Sequence, residues 1–109
     1  MSNTAEVRVE VHVGGSRFGY AGDVDFDMSR DLVAQQIGKI ALDTIDVAHG
    51  GVGVKVGTLV VTVNGTEERL DVTPEDFKLP RWNAALIVGR RVVDAAFAAA
   101  VPETKEEDK

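Results

Sequence analysis

Cysteine is absent from the chain, and its absence excludes a disulfide framework, a thiolate zinc site and a cysteine nucleophile. A cysteine-free chain suits a reducing compartment, so a cytoplasmic protein is expected. Base is scarce: 12 Lys and Arg stand against 18 Asp and Glu, for a formal charge of -6. A binder of the nucleic-acid backbone needs a basic face, so direct binding of DNA or RNA is not expected. Also missing is any uninterrupted apolar run approaching the ~18 residues of a membrane span, and no membrane association is expected. The opening MSNTAEVRVE has no basic segment followed by an apolar one, so no signal peptide is read.

What is present suffices for one small core: 44% of the 109 residues are hydrophobic. A single domain is expected over residues 5–101, with flexible termini at 1–4 and at 102–109, the charged tail PETKEEDK. Val7, Val9, Val11 and Val13 alternate with Arg8, Glu10 and His12, the signature of a half-buried strand. Gly14-Gly15 supplies a two-residue hairpin turn. That turn sets Val11 against Phe18 and Val9 against Tyr20 on one face, with His12 against Arg17 and Glu10 against Gly19 on the other. From Arg30 to Ala48 the period becomes helical, with Val33, Ile37, Ile40, Ala41 and Ile45 on the apolar face. Ser29 or Asp27 caps its start and His49-Gly50-Gly51 ends it. After an irregular VGVKVG approach (52–57), Thr58 to Val63 and Thr66 to Val72 form a second hairpin around Asn64-Gly65. Thr73-Pro74-Glu75-Asp76 begins a single helical turn.

The last stretch, PRWNAALIVGRRVVDAAFAAAV from Pro80 to Val101, reads as one helix with an unusually wide apolar surface. Trp82, Leu86, Gly89, Val93, Phe97 and Ala100 form one stripe, and Val88, Val92, Ala95 and Ala99 a second beside it. A helix apolar nearly all round must be covered on two sides. Arg90 is placed to pair with Asp94 on the remaining polar strip. The order is thus ββαββα, an α+β fold in which an antiparallel sheet of two hairpins packs against two helices.

Three groups of residues could carry chemistry. Asp23, Asp25, Asp27 and Asp31 are closely spaced carboxylates, but Met28 and Ala34 stand where a calcium loop needs glycine and glutamate. No metal or cofactor is expected there. The glycines from Gly50 to Gly57 run from a helix end into a strand, so the dipole offered to a phosphate has the wrong sign. His12 and His49 have no spacing that implies shared ligation, and no serine or threonine sits in a nucleophile-elbow context. No enzyme activity is expected.

The function expected first is a small non-enzymatic protein-interaction module that binds a protein partner. It would self-associate as a homodimer through Trp82, Leu86, Gly89, Val92, Val93, Ala96, Phe97 and Ala100 of the C-terminal helix. A second expectation is an acidic decoy that occupies a nucleic-acid-binding surface on another protein, with Asp23, Asp25, Asp27, Asp31, Glu67 and Glu68 as phosphate mimics. A third is a small-ligand site or enzyme in a cleft between helix and sheet.

Overall fold

Strict alternation of valine with charged residues builds the central strand, β1 (Thr4–Val13), and places Val7, Val9 and Val11 fully inside. The computed structural model describes residues 4–13, 16–50 and 57–100, so the expectations for Gly14-Gly15, for 51–56 and for the terminal segments beyond Thr4 and Ala100 lie outside the described residues. β2 (Ser16–Asp25) returns antiparallel, with Val11 opposite Phe18, Val9 opposite Tyr20, Glu10 opposite Gly19 and His12 opposite Arg17. This is the register that the alternation predicts: a slip of one residue would move every valine into water.

β3 (Gly57–Val63) and β4 (Thr66–Val72) form the second hairpin. Its turn is Asn64-Gly65, both residues at positive φ as the tight hairpin turn requires. The two hairpins share one antiparallel sheet in the order β2-β1-β3-β4, because β1 also pairs with β3 from Val7–Val63 to Val11–Leu59. Val7, Val9, Val11, Leu59, Val61, Val63, Leu70 and Val72 form the inner face. The outer face carries Glu6, Arg8, His12, Arg17, Asp23, Glu67 and Arg69, all exposed.

α1 (Arg30–Ala48) covers β2 and β1 from the inner side. Ser29 Oγ accepts the Leu32 N–H at its start, and Gly50, at positive φ, follows its C-cap His49. Val33, Ile37, Ala41 and Ile45 are buried as the period predicts. Ile40, however, is only half-buried, and fully buried Leu42 belongs to the core instead.

The predicted single C-terminal helix is in fact two. α2 (Arg81–Arg90) and α3 (Val93–Ala100) are separated at Arg91-Val92, so three α-helices rather than two cover the sheet. The break falls two residues after Gly89 and coincides with a side-chain network. Both guanidinium nitrogens of Arg91 donate to the Asp76 carboxylate, at 2.7 and 3.1 Å, and one also donates to the Asp71 carbonyl at 2.8 Å. The ladder tightens there, with the Arg91 and Val92 amides bonding three residues back, to Val88 and Gly89. Asp76 lies in the 3-10 turn Pro74–Phe77, so one ion pair joins the end of β4, that turn and the corner between α2 and α3.

α1 and α2 make the most extensive contact between helices. A Cβ on Gly38 would lie 1.7 Å from the Ala85 carbonyl oxygen, and one on Gly89 would lie 1.7 Å from that of Ala34. Each helix therefore offers an alanine and a glycine four residues apart, and the two backbones touch there, running antiparallel. Arg81–Asp46, Arg90–Asp31 and Arg30–Asp94 pair across the helices. Arg90 and Asp94 thus each reach α1 and do not pair with one another, because the break at Arg91 ends the four-residue spacing between them.

Candidate interaction surfaces

Of the eight residues on the C-terminal stretch singled out for an interface, Gly89, Val92, Val93 and Ala96 are buried within the chain itself. Gly89 meets α1, while Val92 and Ala96 lie over Val61 and Val63 of the sheet. Leu86, Phe97 and Ala100 are half-buried, and Phe97 packs edge-to-face on Phe26 at 5.1 Å with the Arg30 guanidinium above it. Trp82 behaves differently. The residue is 61% exposed, and Leu79, three residues before it, is 41% exposed. The wide apolar surface is thus largely explained by two helices with different neighbours, leaving this corner at the start of α2 and Ile87 open.

The acidic residues do not form one surface. Asp23, Asp25 and Asp27 lie at the end of β2, one edge of the sheet, whereas Glu67 and Glu68 lie on β4, the other edge. Three strand spacings, ~14 Å, separate the two edges. Asp31 pairs with Arg90, and Asp25 Oδ1 accepts the Asp27 amide at 2.9 Å. Among the described residues no three His, Asp or Glu side chains converge as metal ligands would. His12 lies on the outer face of the sheet and His49 at the end of α1 on the inner side, so the fold does not bring the two together.

The described residues line two open concavities that bear on function. One, about 400 Å³, lies on the outer face among His12, Thr58, Val60 and Arg69. The other, about 470 Å³, runs along the free edge of β2 and is lined by Tyr20, Ala21, Ile40, Asp43, Asp46 and Val47. Tyr20 and Val47 there are 45% and 47% exposed. Neither residue was singled out from sequence. The signal was the uncharged run Phe18 to Gly22, which the eye assigns to the core; only the strand order places it on an edge.

A titrating group with a resolved shift sits elsewhere. Burial pushes the Asp76 carboxyl up, but the Arg91 guanidinium and the Thr73 N–H outweigh burial and hold it below the usual carboxylate range. It fastens the corner of the fold. No helix among the described residues is long and apolar enough to cross a membrane. Comparisons of the chain with known protein families, characterised proteins and solved structures give no match.

Proposed function

We propose that this protein is a small non-enzymatic interaction module whose contact for a protein partner is the Trp82–Leu79 corner at the start of α2. One observation carries the reading: the chain's single tryptophan is 61% exposed, the most exposed of the large hydrophobic side chains among the described residues. Tryptophan buries a large rigid surface at low entropic cost and dominates interface energetics out of proportion to its number. Of the eight C-terminal residues expected at a self-association surface, Trp82 is the exposed one, while Leu86 packs against the core.

The tryptophan is also its own reporter. With 5-fluorotryptophan incorporated at the single site, a shifted fluorine resonance is expected in soluble cell extract, where a protein partner is present. Trp82→Ala should remove partner capture while changing stability by no more than ~0.5 kcal/mol, as for other exposed side chains. A resonance identical in dilute buffer and in extract would overturn the reading.

A further inference from the structure

Among the described residues, β2 is an edge strand with hydrogen-bonded pairing on one side only. Alternate residues of such a strand point both N–H and C=O outward, which makes it a template for another strand. Natural edges are blunted by charge, proline or bulges, as β4 is by Glu67, Glu68 and Arg69. β2 has none of these in its central run Phe18-Gly19-Tyr20-Ala21-Gly22, and its ten-residue pairing with β1 is continuous.

The charges sit at its ends, and they are sorted by sign. On the outer face Arg17 stands opposite His12 at one end, with Glu10 3.6 Å from its exposed guanidinium, while Asp23 stands opposite Glu6 at the other. Like charges directly opposite destabilise a pair of strands, and with Arg8 next along that face the acidic end carries two carboxylates to one arginine. A strand that is cationic at one end and anionic at the other is complementary to its own antiparallel copy.

We propose that a second copy of the chain occupies this edge, pairing β2 antiparallel to β2 about a two-fold axis at Tyr20. The register follows from the faces and the charges. Inner-face residues must meet inner-face residues, and the axis at Tyr20 sets Arg17 against Asp23 of the second copy twice over. It also sets Phe18 against Gly22 of the second copy, a large ring over a residue with no side chain, and Gly19 against Ala21. The two Tyr20 rings meet at the axis, each at the mouth of the other copy's groove beside Ile40 and Val47. Moving the axis to Ala21 would direct Arg17 to Asp25, whose Oδ1 already accepts the Asp27 amide; Asp23 is the carboxylate that lies against another, Glu6. The product is a continuous eight-stranded sheet with both helical layers on one side. Trp82 does not line this groove, although the groove's Asp46 pairs with Arg81 beside it.

The test is the molar mass in solution across a dilution series, combined with charge exchange. Wild type is expected to form a concentration-dependent dimer. Arg17→Asp or Asp23→Arg alone places two like-charge pairs across the seam by symmetry and should weaken the dimer about tenfold. The double variant should return to near the wild-type constant. Because the chain has no cysteine, Tyr20→Cys gives one thiol per copy, and mild oxidation should link it rapidly into a dimer while Trp82→Cys remains unlinked. The fluorine resonance at Trp82 should not move on dimerisation. A monomer at every concentration overturns the proposal and leaves the Trp82 reading standing. So does a dimer that ignores both charge reversals, links through Trp82→Cys and shifts the Trp82 resonance.

Discussion

Asp76 and Thr44 are the buried polar residues among those described, and they are satisfied in different ways. Thr44 returns its hydroxyl to the Ile40 carbonyl one turn back, at 2.7 Å. Asp76 accepts a forked pair of bonds from Arg91 and another from the Thr73 N–H at 2.9 Å. Its folded pKa is lowered, so the stability it contributes is complete above the ordinary value of 3.8 and is lost as pH falls below that towards the folded value. Asp76→Asn should cost about 1–2 kcal/mol at neutral pH, reduced from a fully buried pair because Arg91 is partly solvated. The gap between wild type and variant in urea unfolding should narrow below pH 4; a gap constant from pH 7 to pH 3 would contradict the assignment. The local half of this device was legible, since Thr-Pro-Glu-Asp announces a helical turn. Its other half was not: nothing in Arg90-Arg91 distinguishes the arginine that reaches back to Asp76 from the one that reaches α1.

Among the elements, the seam between α1 and α2 is the contact most sensitive to a single methyl group. Backbone approaches backbone at Gly38 and Gly89, so no side-chain rotation relieves an added Cβ and the helices must separate. Gly38→Ala and Gly89→Ala should each cost about 3 kcal/mol, the upper range for overpacking, despite alanine's better helix propensity. Chemical denaturation at constant slope measures this; a neutral or stabilising effect would show that the helices slide apart freely. The three ion pairs over the seam are exposed, so they orient the helices and add little strength. Gly89 was readable as a close-approach residue. Its neighbour was not, because a small residue in a periodic pattern specifies proximity without saying to what. The same limit explains the break at Arg91-Val92: hydrophobic period runs through it undisturbed, and the interruption coincides with a contact fifteen residues away in the chain.

For the molecule as a whole, hairpins and first helix were legible to within two residues because one-sided burial enforces their periods. The joining of β1 to β3 was not, since it rests on inner-face valines that would match in several strand orders. α3 closes this assembly: it lies over β3 and β4, and the Asn64 side-chain amide at the turn donates to the Ala99 carbonyl at 3.1 Å. Truncation after Arg91 removes that cover from Val61, Val63 and Phe26. The shortened chain should aggregate or lose its circular-dichroism signature of native structure; a well-folded, soluble truncation would place the core elsewhere.

The strand order has one more consequence. Among the described residues, those up to Gly50 form a hairpin with its helix, and those from Gly57 onward form another hairpin with its helices. They meet along the β1–β3 ladder, at the glycine contacts of α1 with α2, and where Phe97 and Asp94 of α3 reach Phe26 and Arg30. A chain cut between Lys55 and Val56 therefore yields two pieces that each lack the other's apolar cover and share a specific way of finding it. Produced together, the halves should reassemble without a covalent link, turning a small domain into a conditional switch that reports whether two attached proteins have met.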